Sequence, residues 1–231
     1  LTAGLRQVDP EVAIAAIRAT RRRELFRISA ADSLGLLSVD DVGPALSAIA
    51  DATIQAALAV ATASVLVDGT QAEDLIEFVV VGMGRYGGEE LGYGSDADVM
   101  FVYRTREGVD EAAASDAATS VANELRRLLA LPSADPPIDM DADLRPEGRN
   151  GPIVRSLASY AAYYERWSAA WEAQALLRAR PVAGSPALQD AFIELIDPIR
   201  YPAEGVSSTD LLEMRRLKAR MEAERLPRGA D

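Results

Sequence analysis

Residues 82–98 read Gly82-Met83-Gly84-Arg85-Tyr86-Gly87-Gly88-Glu89-Glu90-Leu91-Gly92-Tyr93-Gly94-Ser95-Asp96-Ala97-Asp98. The run stands between two short apolar segments, Phe78-Val79-Val80-Val81 and Asp98-Val99-Met100-Phe101-Val102-Tyr103, each with the composition of a buried strand. Its first glycines satisfy G-x-G-x-x-G, but a dinucleotide site needs those glycines to open a long helix and needs an acidic residue about 20 positions on. Here another glycine follows within a few residues and the acidic pair arrives too early. A P-loop fails as well, because no lysine follows the glycines. The reading that survives takes Gly94-Ser95-Asp96-Ala97-Asp98 as the core. Small residues let backbone amides approach a triphosphate, and two carboxylates spaced i, i+2 lie on one face of a strand, where they can share divalent metal.

Two-metal phosphoryl transfer needs a third hard oxygen ligand from a neighbouring strand. Pro136-Pro137 leads into Ile138-Asp139-Met140-Asp141-Ala142-Asp143-Leu144, an apolar/acidic alternation that as a strand places three aspartates on one face. Asp141 is the candidate, with Asp139 and Asp143 as same-face competitors. Composition supports carboxylate chemistry. The 231 residues contain neither cysteine nor histidine, which excludes a thiol nucleophile, a Cys/His zinc site and a histidine general base. Lys+Arg number 24 against 36 Asp+Glu, a net charge of −12, which disfavours a protein that holds nucleic acid by neutralising phosphates. Lys218 is the single lysine.

Working outward, Asp9-Pro10 is a helix start, followed by Ile14, Ile17, Leu25 and Ile28 at helical spacing. Arg21, Arg22 and Arg23 are expected on its solvated face. Ser38-Val39-Asp40-Asp41 resembles a capping box and opens a second helix with the stripe Leu46, Ile49, Ala50, Ile54, Leu58, Ala61 and Val65. A polar linker runs from Asp68 to Asp74. Downstream of the glycine run a helix is predicted from about Asp110 to Leu131, stopped by Pro132. From Ser156 the chain reads as helical to its end, with Tyr160, Tyr163, Tyr164, Trp167 and Trp171 forming a packing stripe, then helices over about 185–196 and 209–225. This divides the chain into an N-terminal helical segment (1–70), a core carrying the catalytic sheet (71–155) and C-terminal helices flanking a cleft (156–231). The start at Leu1 without methionine and the stop after Leu226-Pro227-Arg228-Gly229 suggest a fragment of a longer protein. No uninterrupted apolar run reaches about 18 residues and no signal peptide is evident, so a cytoplasmic protein with no membrane partner is expected.

The run Gly82 to Asp98, the segment Asp141-Ala142-Asp143-Leu144-Arg145-Pro146 and the block from Trp171 through Gln174 to Arg180 resemble the glutamine synthetase adenylyltransferase family, a branch of the DNA polymerase beta-like nucleotidyltransferases. The resemblance is densest over about residues 77–184. It implies an α+β fold with a small mixed β-sheet between N- and C-terminal helical segments. It implies a member of a bifunctional system in which one half transfers AMP from ATP to a tyrosine of glutamine synthetase, releasing pyrophosphate, and a related half removes it by phosphorolysis. The Gln174-containing block looks more like the attaching half. Carried over residue by residue, Asp96, Asp98 and Asp141 would be the catalytic carboxylates and the ligands of Mg2+ or Mn2+. Gly94 and Ser95 would contact the phosphates of ATP, with Gly84, Arg85 and Arg145 as further nucleotide-binding candidates. Asp143 stands where the family more often has arginine, and Gly94 where serine is common. Implied partners are glutamine synthetase and, through the full-length enzyme, a PII-type signal protein. The reverse activity and an inactive nucleotide-binding regulatory module are the alternatives.

Overall fold

A computed structural model describes residues 9–167, 170–205 and 207–225. Helix α1 (Pro10–Ser33) begins where the sequence requires: the Asp9 carboxylate accepts the Glu11 N–H at 2.8 Å, and Pro10 fills the first helical position, where no amide is needed. Helix α2 (Val39–Ser64) buries Leu46, Ala50, Ile54, Ala57, Leu58 and Ala61. By length and composition alone α2 could cross a membrane, but half of its most apolar window is buried inside the protein. The expected linker is instead a tight hairpin of β1 (Leu66–Val67) and β2 (Thr70–Gln71), turned by Asp68 and Gly69 at φ 49° and 82°.

A one-turn helix α3 (Ala72–Leu75) leads into the central sheet. Strand β3 (Ile76–Gly82) runs into the one-turn helix α4 (Gly84–Gly87), and the rest of the glycine loop delivers the chain to β4 (Ala97–Thr105). These strands pair antiparallel along their length, from Ile76 opposite Thr105 to Gly82 opposite Val99. Helix α5 (Glu111–Ala130) follows, its start capped by the Asp110 carboxylate, which accepts the N–H groups of Ala112 and Ala113 at 3.0 and 3.1 Å. The chain then returns beside β4 as two short parallel pieces, β5 (Met140–Asp141) and β6 (Val154–Ser156). Helices α6 (Leu157–Trp167) and α7 (Ala170–Leu176), strand β7 (Arg180–Gly184), and helices α8 (Pro186–Arg200) and α9 (Ser208–Arg225) complete the described chain. The sheet order is β5-β4-β3-β7, with β6 also on β4. This is the mixed α+β architecture expected, with helical segments flanking a small mixed sheet.

Strand alternation splits the core in two. Phe78, Val80, Val99, Phe101 and Tyr103 face α2 and α5, where Val121, Leu125, Leu128 and Leu129 are fully buried. Val79, Val81, Met100 and Val102 face the C-terminal helices, meeting Tyr160, Tyr164, Phe192 and Ile196. Tyr160 packs edge-on against Phe192, ring centroids 6.0 Å apart, so the tyrosine stripe is a packing face as read. The side chains of Trp167 and Trp171 lie outside the described residues.

Three further expectations need correction. The strand over 138–144 is only Met140–Asp141, because the Asp143 N–H turns back to the Asp141 carboxylate at 2.7 Å and ends the extended run. The segment after 156 is not all helical: β7 joins β3 as an edge strand, where Pro181 is tolerated beside a register shift opposite Val80 and Val81. Arg21 and Arg22 are not merely solvated. With Arg18 they hold the loop after α5: Arg18 donates to the carbonyls of Leu131 and Asp135, Arg21 to that of Pro136 at 2.9 Å, and Arg22 pairs with the Asp135 carboxylate at 2.6 Å.

Leu125 contributes its whole side chain to the core on the α5 side of the sheet. Leu125→Ala is expected to cost about 2–5 kcal/mol, read as a lower urea midpoint at unchanged slope.

Candidate active site

The parallel pairing of β4 with β5 sets Asp98 directly opposite Asp141. Both belong to the sheet face whose later residues, Met100 and Val102, lie under the C-terminal helices. Asp96 sits two residues before Asp98, just ahead of the strand, and so shares that face. One carboxylate oxygen from each of Asp96, Asp98 and Asp141 lies within 4.8 Å of the others. Asp96 is exposed and the other two are half-buried, so the cluster opens to solvent on one side.

Of the three alternating aspartates, the register brings Asp141 beside Asp96 and Asp98. Asp139 is exposed and offers its carbonyl to the Ala97 N–H at 2.8 Å, stitching the two strands just before the site. Asp143 is carried off by the turn and pairs with Arg149 at 2.5 Å. Three converging hard-oxygen donors fit a divalent cation of the Mg2+ or Mn2+ type and would suit neither a soft metal nor a redox cluster. Burial, followed by the negative charges of Asp96 and Asp141, pushes the Asp98 carboxyl above its ordinary range, while the Arg85 guanidinium pulls the other way.

The glycine loop forms the wall of this cluster. Gly84 takes φ +53°, and a Cβ built on it would lie 2.3 Å from the Asp98 Oδ2. That position therefore demands glycine twice over, for its left-handed backbone and for the room it leaves the carboxylate. The Met83 N–H bonds the Asp98 carbonyl at 2.8 Å, anchoring the same junction. Gly87 is packed just as tightly, with a Cβ there reaching 1.9 Å from the Arg178 carbonyl. Gly94 is open on the Cβ side and exposed. Ser95 closes a turn, its Oγ accepting the Gly92 N–H at 3.1 Å and its own N–H reaching the Gly92 carbonyl at 3.2 Å, directly before Asp96.

Arg85 is exposed beside the cluster, with its charge felt at Asp98. Arg145 points elsewhere: it donates to the carbonyls of Ala142 at 2.6 Å and Gly151 at 3.1 Å, pinning the excursion between β5 and β6. Its observed bonds organise that loop; none reaches the three carboxylates. Sequence reasoning missed Asp51, Tyr86 and Arg180. The Tyr86 hydroxyl donates to Asp51 at 2.7 Å, and Arg180 pairs with the same carboxylate at 2.7 Å behind the glycine loop. Asp51 was visible as the one acid within residues 42–64, the apolar stretch of α2.

A carboxyl pushed up in the folded state stabilises the fold below its unfolded value and forfeits that contribution as pH rises through the higher, folded one. Where Asp98 is ionised without metal, it therefore costs stability. Asp98→Asn is expected to raise the melting midpoint in chelator and to abolish the further rise that Mg2+ gives the unaltered protein; a midpoint that still responds to Mg2+ would exclude Asp98 as a ligand. Gly84→Ala is expected to displace the Asp98 carboxylate and weaken Mn2+ binding more than about tenfold in a titration, the scale seen when a ligand loses its support.

The glutamate-ammonia ligase adenylyltransferase (GlnE) family profile matches residues 2–195. A protein of Mycobacterium tuberculosis strain CDC 1551, named bifunctional glutamine synthetase adenylyltransferase/adenylyl-removing enzyme, is 57% identical over 226 residues, covering 98% of this chain and 22% of its own length. Proteins of the same name from Mycobacterium avium strain 104 and Streptomyces coelicolor are 57% and 53% identical, covering 98% and 99% of this chain. The chain spans 22–24% of the length of these three relatives. On the extent of the profile match and the level of identity, the chain belongs to the glutamate-ammonia ligase adenylyltransferase family.

Proposed function

We propose that this chain carries a metal-dependent nucleotidyltransferase site that moves AMP from ATP to a tyrosine hydroxyl of glutamine synthetase, with release of pyrophosphate. The observation that carries the reading is the convergence of Asp96, Asp98 and Asp141 within 4.8 Å across the β4–β5 pair, in a chain of the adenylyltransferase family. The names of the relatives supply the acceptor, glutamine synthetase. The segment division near residues 70 and 155, a cytoplasmic location, a contact with a PII-type protein in the longer enzyme and a role in nitrogen assimilation belong to the same proposal.

The divalent cations would neutralise charge on the phosphates and lower the barrier to an in-line attack at the α-phosphorus. The chain's own work is positioning. Asp98 and Asp141 are fixed by backbone pairing rather than by flexible loops, so their carboxylates need little reorganisation. Asp141, whose Oδ1 also accepts the Asp143 N–H, is oriented by that bond and is the group assigned to the acceptor side, where it helps take the tyrosine proton. No histidine is present to do so. The turn closed by Ser95 stands beside the exposed Asp96, the side from which the triphosphate would enter. Arg85, whose charge is felt at Asp98, supplies a cation beside the site.

The test is the intact mass of glutamine synthetase subunits after incubation with the full chain, ATP and Mg2+, run beside adenylylated subunits given phosphate. A gain of one AMP per subunit, lost with Asp96→Asn or Asp141→Asn, is the expected result. Loss of AMP confined to the phosphate arm would assign the site to the removing reaction. No change in either arm would overturn the reading.

A further inference from the structure

A polar network behind the glycine loop, outside the carboxylate cluster, joins three distant parts of the chain. Asp51 lies in the middle of the apolar helix α2. Its Oδ1 accepts the Tyr86 hydroxyl at 2.7 Å and one Arg180 Nη at 3.2 Å, and its Oδ2 accepts the other Nη at 2.7 Å. The same guanidinium donates through Nε to the Gly87 carbonyl at 3.3 Å and through Nη to the Tyr86 carbonyl at 3.3 Å, and it lies 5.7 Å from the Tyr86 ring centre. The backbone of Arg180 is paired with Gly82 in the sheet, so the side chain starts from a fixed point and closes over the turn. Asp51 and Arg180 are each about three-quarters buried, at 25% and 27% side-chain exposure, while Tyr86 is fully buried.

The geometry points to Arg180, with Asp51 and Tyr86, as positioning residues that set the Asp98 carboxylate through the Gly84–Gly87 turn. The chain of contact is short. Arg180 clamps the carbonyls at the end of the turn, and the start of the turn is Gly84, whose Cα side is the surface against which the Asp98 Oδ2 rests. A shift of the turn toward the strand drives backbone into that oxygen, and a shift away removes its wall. Displacements of about 1 Å in a positioning element cost on the order of a hundredfold in rate. Lysine cannot replace this arginine, because a single ammonium cannot bind both oxygens of a carboxylate while also donating to two carbonyls. The carboxylate of Asp51 in turn gives the guanidinium its orientation, and a partly buried charge left without it would turn toward solvent and release the turn. The N-terminal helices thereby bear on the metal site from two sides, α2 through Asp51 and α1 through the arginines that hold the loop leading to Asp141.

This inference deepens the adenylyl-transfer reading and rests on it for the rate, so its test carries a second readout that does not. In the full chain, Arg180→Lys, Asp51→Asn and Tyr86→Phe are compared with the unaltered protein for kcat and ATP KM, for Mn2+ affinity by paramagnetic titration without nucleotide, and for thermal midpoint. The expected result for Arg180→Lys and Asp51→Asn is a cooperative melt, an ATP KM within about threefold, a kcat lowered about tenfold to a hundredfold, and Mn2+ binding weakened severalfold. Tyr86→Phe, which loses the hydroxyl bond to Asp51 but keeps the ring and the carbonyl contacts, is expected to lower both in the same direction and to a smaller extent. Unaltered Mn2+ affinity and kcat in folded Arg180→Lys and Asp51→Asn would overturn the proposal. A rise in KM alone would also overturn it, by making the network part of nucleotide binding. If either variant melts without cooperativity, the other decides. An unaltered protein that transfers no AMP but whose Mn2+ affinity still depends on Arg180 would refute the transfer reading and leave the positioning role standing.

Discussion

Three carboxylates cannot share a few ångströms without cost. At about 4 Å and an effective dielectric near 20, two unit charges repel by about 4 kcal/mol, and this site brings three together. The sheet enforces what the side chains resist: β4 and β5 are in parallel register at Asp98 and Asp141, and Asp96 follows on the same face. The rest of the structure can be understood as the frame that keeps that register. The buried strands β3 and β4 pair along seven residues, helices cover both faces, and the glycine turn closes the end where the charge accumulates. A site of this kind is stable when a divalent cation replaces repulsion with attraction. The protein's acidic balance and its lack of histidine and cysteine are consistent with chemistry given over to oxygen ligands.

The frame is assembled from segments far apart in sequence. α1 holds the loop that delivers Asp141, and α2 reaches the glycine turn through Asp51 and Arg180, 129 residues apart. The N-terminal helices are thus more than a hydrophobic cover for the sheet. Arg18, Arg21 and Arg22 hold the loop over residues 131–136, which leads to Asp141, and Asp51 holds the glycine turn through Tyr86 and Arg180. Such bonds stabilise modestly when exposed and more when buried. Their greater effect here is geometric, since they fix loops that have no ladder of their own.

Much of this was legible in the sequence, for physical reasons. Val79, Val80 and Val81 announce a buried strand because β-branched residues in a continuous run fit a sheet covered on both faces. The i, i+2 spacing of Asp96 and Asp98 gives them a shared face wherever the chain is extended. Asp9-Pro10 and Asp110 mark helix starts by chemistry local to a few residues. What could not be read depends on register or on distant contact. The alternation of Asp139, Asp141 and Asp143 leaves the third ligand open, because periodicity alone cannot say where a strand stops, and the turn at Asp143 ends it after Asp141. β7 was hidden because an edge strand of five residues containing proline carries little β signal. Arg21 and Arg22 look like any polar helix face until the loop they hold is in place.

The central claim is that Asp96, Asp98 and Asp141 act as one metal-binding unit. Anomalous scattering from crystals of the protein grown with Mn2+ tests it most directly. The expected result is a manganese peak bridging the carboxylates of Asp98 and Asp141, with Asp96 in its coordination shell. A peak held by other residues, or a carboxylate trio left metal-free in crystals saturated with Mn2+, would contradict it.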